Sequence, residues 1–290
     1  MMRIRFIRQI VLLVAVVMML PGVSAAKQGQ RQGAADGQRR GGGGGGRRNT
    51  PSPTANLPFD PHDLKGYWNR SNGGDRGMSS RAGVDVPPMT PAGQKLFNAS
   101  KPGYGPRAVS PAVGNDIVGE CNPQGIPRII FFPRPVEFIQ LPDKLVQVFD
   151  WHRVYREIWM DGRQLPKNPD LIRWYGYSVG HWEGNTLVVD SNGFDDRTWL
   201  DMYGYPHSDE MLLQERYTRV DHDTITLQII VNDPKIYTKP WVSETKTFRT
   251  VQKETITRDG WFGLLEEICA PIDEVDDFNT RVRNPAAGVK

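Results

Sequence analysis

Alternation of apolar and polar residues with a period of two is the feature that most constrains the fold of this chain. It runs from about residue 129 to residue 258 and is interrupted by turn sequences such as Pro142-Asp143, Asp161-Gly162 and Glu183-Gly184-Asn185. Successive side chains of a β-strand point to opposite faces, so this pattern is typical of half-buried strands joined by tight turns. The sequence therefore predicts an all-β domain built as an antiparallel meander.

Strands are expected at short intervals along the chain. The clearest hairpin joins residues 171–182 to residues 186–191, and the first strand is Leu64 to Arg70. Further strands are predicted at residues 129–132, 135–141, 145–150, 155–160, 211–220, 224–231, 241–250 and 253–258. Short helices are predicted at residues 91–98, behind Thr90 as N-cap, and at residues 261–268. Residues 71–127 are rich in Gly, Pro and Ser, which indicates a long irregular N-terminal segment.

The number of strands favours a closed barrel. A sheet of about 8–10 strands is expected to close on itself, because an open sheet leaves unpaired edges. A barrel of about eight strands holds one small ligand. Its opening tripeptide, Gly66-Tyr67-Trp68, resembles the Gly-x-Trp start of lipocalins, which implies a calycin-like barrel. A two-sheet β-sandwich is the alternative fold.

Residues 1–25 have the order of a cleavable secretory signal peptide. Three arginines between residues 3 and 8 precede an apolar run, residues 10–20, and Val23-Ser24-Ala25 offers small residues for cleavage. The run is shorter than the ~20 residues of a membrane-spanning helix. We therefore expect an exported protein, periplasmic or extracellular, with no transmembrane segment after cleavage; a retained anchor is the alternative.

Charge separates the N-terminal region from the rest. Residues 26–57 contain six consecutive glycines and almost no large apolar residue, so they are predicted to be a disordered linker before a single β-rich domain, residues 58–290. Residues 1–48 carry nine of the 36 Lys and Arg residues but one of the 33 acidic residues, which leaves the remainder with a net charge near −5. Such a domain is not expected to bind nucleic acid.

The chain has two cysteines, Cys121 and Cys269. An even number of cysteines in an exported protein predicts a disulfide. Their pairing would join the start of the strand-rich region to its C-terminal end, and two separate buried thiols are the alternative.

Four residues are candidates for catalysis: His152, Glu157, His181 and His207. Neutral imidazole and carboxylate groups act as general bases near neutral pH. The segment Gly176-Tyr-Ser-Val-Gly180 matches the serine-hydrolase pattern, but it leads into a hairpin instead of a helix, so it predicts a strand kink. No metal-ligand or nucleotide motif is present, and we expect no cofactor and no metal.

Charged residues within the alternating strands indicate where a ligand would bind. Whichever face of residues 155–160 points inward, the barrel contains a charge, because Arg156 and Glu157 are neighbours. A buried charge is costly unless paired, so such residues form structural ion pairs or line a polar pocket. Tryptophans cluster in the same region. We predict ligand contacts from Arg156, Tyr155, Trp159, Trp174 and Glu215.

Several segments from about residue 119 to 270 carry a resemblance to a known family. They include Asp161-Gly-Arg-x-Leu-Pro, Trp174-Tyr-Gly-Tyr-Ser-Val-Gly, Trp182-Glu-Gly-x-Thr-Leu-Val-Val-Asp and Asp233-Pro-Lys-x-Tyr-x-Lys-Pro-Trp. In these the chain resembles a large family of uncharacterised secreted proteins from environmental bacteria, including acidobacteria. The resemblance implies export, and it implies no activity, cofactor or site.

Three functions are compatible with these features. The first is the binding of a small, partly apolar molecule in the barrel cavity, which predicts an apolar cavity with its charges already paired. The second is a lyase, isomerase or hydrolase, which predicts histidines and acids that converge at one mouth of the barrel. The third is a structural role in the cell envelope.

Overall fold

The strands of this chain form one sheet that closes on itself. The computed structural model describes residues 54–71, 76–251, 263–264 and 269–271. Within these residues the strands are β1 (Gly66–Arg70), β2 (Val136–Gln140), β3 (Lys144–Phe149), β4 (Tyr155–Trp159), β5 (Tyr177–Glu183), β6 (Thr186–Asn192), β7 (Leu212–Asp221), β8 (Thr224–Asn232), β9 (Trp241–Val242) and β10 (Lys246–Thr250).

Closure is made by β10, which pairs with both β1 and β8. Strands β1 to β8 and β10 thus form a nine-stranded barrel, and the two-residue strand β9 adds to the far part of β8. The predicted all-β barrel is confirmed, and the sheet does not divide into the two layers of a sandwich. Closure removes the free edges that an open sheet of this size would expose.

One pair of barrel strands departs from the predicted antiparallel meander. Strands β4 and β5 run parallel and pair at a single position, Trp159 with Val179. Residues 160–176 make the return connection that a parallel pair requires. A glycine helps the two strands meet, since a Cβ at Gly180 would lie 2.5 Å from Met160 Sδ and 3.1 Å from Ile158 Cγ2. The barrel is therefore mixed, with a seam between β4 and β5.

Three of the predicted strands differ from the structure. Residues 129–132 were expected as a strand, but Arg128–Phe131 is a 3₁₀ helix, since a short apolar run does not distinguish the two. The strand predicted over 171–182 starts only at Tyr177, because Gly176 adopts a φ of 63°. The strand predicted over 241–250 is two strands, β9 and β10.

The two ends of the barrel differ in construction. The hairpin end carries the tight turns at residues 141–143, 184–185 and 222–223, whereas the loop end carries the long connections. One of these contains helix α1 (Pro91–Ala99), where Thr90 is the predicted N-cap and accepts a hydrogen bond from Gly93 N–H. The 3₁₀ helix Arg128–Phe131 is fully buried. The loop end is thus covered by the chain's irregular segments.

A disulfide joins Cys121 to Cys269 with their Cα atoms 5.6 Å apart, which confirms the predicted pairing. Thr54, placed by its sequence in the linker, donates its hydroxyl to Asp223 at the hairpin end. No helix among the described residues has the length and apolar character needed to cross a bilayer. The predicted signal peptide, most of the linker, the strand at 253–258 and most of the helix at 261–268 lie outside the described residues.

Candidate functional site

A fully buried ion pair lies inside the barrel. Arg156 on β4 and Glu215 on β7 both point inward, with Arg156 Nη2 2.6 Å from Glu215 Oε2. This contact is ionic and lacks the alignment of a hydrogen bond. Arg156 Nε and Nη2 also donate to Ser178 Oγ at 3.0 Å and to Ser191 Oγ at 2.8 Å. The guanidinium is therefore compensated by both charge and hydrogen bonds, as a buried ion requires.

The carboxylate of Glu215 has its own neutral partners. Tyr217 OH donates to Glu215 Oε1 at 2.8 Å, and Gln147 Nε2 donates to Tyr217 OH at 3.0 Å. Burial, reinforced by the Glu215 charge, raises the pKa of Tyr217 well above its ordinary value. Tyr217 therefore stays protonated and serves as a donor. The inward charges predicted from the sequence thus form a connected structural network.

Side chains fill the barrel interior around this network. The cavity next to Gln147 and Tyr217 at the loop end has a volume of about 10 Å³, room for about one water molecule. A cleft at the hairpin end, beside Trp182 and Leu187, has about 210 Å³. Small-molecule sites usually enclose 300–1,000 Å³. Neither interior space therefore matches the ligand cavity expected from the sequence.

A larger space lies on the side of the barrel, at the β4–β5 seam. It has a volume of about 670 Å³ and is bounded by β4, by the start of β5 and by the connection between them. We call it the seam groove; its walls include Tyr155, Glu157, Trp159, Arg173, Trp174 and Tyr177. Arg156 and Ser178 also line it, so the groove reaches down to the buried network. The single point of pairing between β4 and β5 leaves this room.

Cationic side chains contact the aromatic rings of the seam groove. The Arg163 guanidinium lies 3.7 Å from the ring centre of Trp159, and Lys144 Nζ lies 4.7 Å from the same ring. Arg197 lies 4.4 Å from the ring centre of Trp174. These distances are those of cation–π contacts. Both indole rings are therefore already engaged by cations of the protein itself.

Arg173 is the cation of the seam groove whose charge is not balanced. Its guanidinium lies 4.3 Å from the ring centre of Tyr177, and its side chain is exposed. Within the described part of the chain, no carboxylate lies within ion-pair distance of it, whereas Arg163 pairs with Asp161. Its backbone is fixed by hydrogen bonds to Gly193 O and from Asp195 N–H. Arg173 thus presents a positive charge on a rigid part of the loop.

Tyr175 also lines the seam groove, and its hydroxyl is buried. Burial raises the pKa of the Tyr175 phenol above its ordinary range, against a smaller lowering by the backbone of Gln124. The phenol therefore stays neutral at any physiological pH. Ile172 nearby is exposed, so the groove combines apolar, aromatic and cationic surface.

A second groove of about 660 Å³ adjoins the first. The two grooves share Gln164, Leu165 and Val179, so the loop at residues 163–167 forms a common wall. The second groove is lined by outward side chains of β6 to β8, including Asp190, which accepts a hydrogen bond from Gln214 Nε2 at 2.9 Å. The carboxylate of Asp190 in this groove is thus already engaged by a neighbouring side chain.

Four of the five predicted ligand-binding residues line the seam groove: Tyr155, Arg156, Trp159 and Trp174. The fifth, Glu215, lies behind the groove in the ion pair with Arg156. The structure therefore brings the predicted set together at one place, but on the side of the barrel instead of in its cavity.

The candidate catalytic residues do not meet. His152 lies at the loop end between β3 and β4, where it stacks on Trp151 with ring centres 5.0 Å apart. His181 lies towards the hairpin end of β5, exposed, with Nε2 3.3 Å from Glu183 Oε1. These two histidines thus occupy opposite ends of the barrel.

His207 and Glu157 have structural partners. His207 is buried in the loop between β6 and β7, where Nδ1 donates to Ser208 O at 3.0 Å and Nε2 lies 2.7 Å from Thr198 Oγ1. Burial lowers its pKa from the ordinary value. Glu157 lines the seam groove, but it pairs with Lys144 Nζ at 2.5 Å. Neither group is placed as a free base beside a histidine.

Ser178, the central residue of the hydrolase-like pattern, lies within strand β5 and points into the barrel. Its hydroxyl accepts hydrogen bonds from Arg156 and Ser191. The segment is a strand without the strand-to-helix elbow that exposes a nucleophile. No group of three or more His, Cys, Asp or Glu side chains suited to a metal ion occurs among the described residues.

Sequence reasoning missed Arg173, Arg163 and Tyr175. They lie in the predicted long strand and the loop before it, where nothing in the local pattern distinguishes them. The one available signal was position, because they lie in the connection between two strands, residues 160–176. Long loops of this kind often carry function.

Comparison with known protein families, with curated proteins and with solved structures finds no match to this chain. The resemblance of residues 119–270 to secreted bacterial proteins stays a prediction. The seam groove is therefore interpreted from its own chemistry.

Proposed function

We propose that this protein binds a small, partly apolar molecule that carries a negative charge, and that the seam groove is its site. The observation that carries the proposal is Arg173, an exposed cation without a carboxylate partner among the described residues, set in an aromatic groove. An anionic ligand would supply the missing charge. The groove volume of about 670 Å³ falls within the range of small-molecule sites.

Binding is a better proposal than catalysis on the present geometry. His152 and His181 lie at opposite ends of the barrel, and His207 is buried with both ring nitrogens engaged. The groove itself offers Glu157, whose carboxylate is engaged by Lys144. The enzymatic alternative would need a general base that is not already engaged by another side chain.

The site is proposed to work outside the cytoplasm. The N-terminal sequence supports this through its signal-like order, and the Cys121–Cys269 disulfide supports it because such bonds persist in oxidising compartments.

Two dyes of nearly equal shape test the proposal. The anionic dye is 1-anilinonaphthalene-8-sulfonate, and its neutral counterpart is N-phenyl-1-naphthylamine. Arg173→Gln is expected to weaken binding of the anionic dye about tenfold, the worth of one charge-assisted hydrogen bond, and to leave the neutral dye unchanged. Fluorescence titration measures both.

Arg81→Gln is the matched control, because Arg81 is an exposed arginine that does not line the seam groove. It is expected to leave both affinities unchanged. The proposal is overturned if the anionic dye binds equally well to the Arg173→Gln protein, or if Arg81→Gln has the same effect as Arg173→Gln.

A further inference from the structure

The backbone of β4 offers hydrogen-bonding groups to the seam groove. In an antiparallel pair, residues alternate between those that bond the partner strand and those that point away from it. Phe149 N–H donates to Val154 O at 2.8 Å, and Met160 N–H donates to Asp143 O at 2.7 Å. Together with the register between β3 and β4, these two bonds show that the N–H and C=O groups of the even-numbered residues of β4 point towards β3. The odd-numbered residues therefore direct their N–H and C=O groups towards β5.

Only one of those odd-numbered residues meets β5. Trp159 pairs with Val179, and no further pair follows as the strands diverge. If the parallel pairing continued, the backbones of Glu157 and Tyr155 would bond to residues 174–178. Instead, Gly176 N–H bonds to Arg173 O within its own turn. Within the described residues, neither Tyr155 nor Glu157 takes part in the pairing of β4 with β5, and no loop or turn hydrogen bond engages the backbone of Tyr155 or the N–H of Glu157. Both residues line the seam groove.

Such an edge is recognised by another extended backbone. Groups on alternate residues of a strand recur every ~7 Å, which is the repeat of an extended peptide that adds to a sheet edge. A sugar would instead stack on aromatic faces, but the rings of Trp159 and Trp174 already contact the guanidinium groups of Arg163 and Arg197. The chemistry of the groove thus favours a peptide.

Charge narrows the choice of peptide. Arg173 lies in the wall opposite β4 without a carboxylate among the described residues, whereas Glu157 and Asp161 are paired with Lys144 and Arg163. A peptide that carries a carboxylate matches the one unbalanced charge. Exposed Ile172 offers a contact for an apolar side chain of the same peptide.

We propose that the ligand of the seam groove is an extended peptide segment with a carboxylate side chain, whose main chain pairs with β4 at Tyr155 and Glu157. This inference rests on the function proposed above for the same groove. Arg173 receives the carboxylate, and the open edge of β4 receives the backbone.

A substitution at Tyr155 can remove one backbone N–H that faces the groove without removing a hydrogen bond between β3 and β4. It is the first residue of β4, where proline is tolerated, and Val154 before it already has the extended conformation that proline requires (φ −81°, ψ 153°). Tyr155→Pro deletes the N–H that faces the groove. Tyr155→Val is the matched control, because it also loses the phenol but keeps the N–H.

The probe is a fluorescein-labelled six-residue peptide of alternating valine and threonine with one aspartate. It is expected to bind the full protein, to displace the anionic dye, and to bind Tyr155→Pro about fivefold more weakly than Tyr155→Val, the worth of one net hydrogen bond. Fluorescence polarisation measures the affinities, and the dye titration shows that the groove is intact in both variants.

A modified peptide gives the same test without altering the protein. Two peptides are compared, one N-methylated at its odd-numbered amides and one at its even-numbered amides. Methylation of the amides that face β4 is expected to weaken binding strongly, and methylation of the others is expected to weaken it little. The inference is overturned if the peptide does not displace the dye, or if both methylated peptides bind like the parent. In that case an Arg173-dependent dye affinity leaves the proposed function standing, whereas an Arg173-independent one removes both.

Discussion

At the scale of the residue, the centre of the barrel depends on Arg156 and Glu215. The sequence showed that a charge must point inward from residues 155–160, because the neighbours Arg156 and Glu157 lie on opposite faces of the strand. It did not show which partner this charge finds, since Glu215 lies 59 positions further along the chain and is brought near by strand order. Each ion compensates the desolvation cost of burying the other, a cost that would be destabilising if either charge were buried alone.

Removal of one partner is expected to be costly. Glu215→Gln leaves the Arg156 charge buried without its counterion and should lower the free energy of unfolding by about 3–5 kcal/mol. Urea unfolding followed by tryptophan fluorescence measures it. Glu183→Gln is the control: Glu183 pairs with Arg216 on the outer face of the same region, exposed, and its loss should leave the urea midpoint unchanged. Equal effects would contradict the structural role of the buried pair.

His207 should make stability depend on pH. Burial lowers its folded-state pKa, whereas in the unfolded chain it titrates near 6.5. As the pH falls below 6.5, only the unfolded state gains the proton, so the free energy of unfolding should fall by up to ~2 kcal/mol between pH 7 and pH 5. His207→Gln should reduce this slope, because His207 is almost fully buried. Urea titrations at both pH values measure the slopes, and identical slopes would refute the assignment.

At the scale of the element, the strands follow from local pattern and their order does not. The hairpins at residues 184–185 and 222–223 were predictable, because a tight turn fixes its neighbours as antiparallel partners. The parallel pair of β4 and β5 was not predictable, because its 17-residue connection places no local constraint on direction. That pair creates the seam groove, so the position of the candidate site was also beyond the sequence.

Helix α1 depends on its cap. Thr90 Oγ1 accepts from Gly93 N–H at 3.0 Å and donates to Lys235 O at 2.6 Å, so it both starts the helix and anchors it to the loop after β8. Thr90→Ala should lower the free energy of unfolding by about 1–2 kcal/mol. Thr90→Ser keeps the hydroxyl and should restore most of this loss. Thermal unfolding by circular dichroism measures both, and a serine variant as unstable as the alanine variant would contradict the capping role.

At the scale of the whole molecule, links between segments far apart in the sequence matter most, and two of them stand out in the described part of the chain. Strand β10 closes the barrel against β1, and the Cys121–Cys269 disulfide joins residues 148 positions apart. With two cysteines, the sequence allowed one intramolecular pairing, so this link was predictable. Closure by β10 was predictable only as a general need of a large sheet to cover its edges.

The disulfide is expected to be a main determinant of stability. Because it closes a loop of 148 residues, the double substitution Cys121→Ser with Cys269→Ser should lower the free energy of unfolding by about 3–5 kcal/mol. Urea unfolding of the variant and of the reduced wild-type protein measures the loss twice. The two values should agree, and a reduced protein as stable as the oxidised one would contradict this expectation.

The sequence by itself determined most of the strands, the helix cap, the disulfide partners and the presence of an inward charge in β4. The strands, the cap and the inward charge each depend on a residue and its near neighbours along the chain. The disulfide partners follow because the chain has two cysteines. Only the tertiary structure decided that β4 and β5 run parallel, that Glu215 meets Arg156, and that Arg173 faces an aromatic groove. These arise because side chains distant in sequence must share one closed barrel, where register and strand order are set by packing instead of by local pattern.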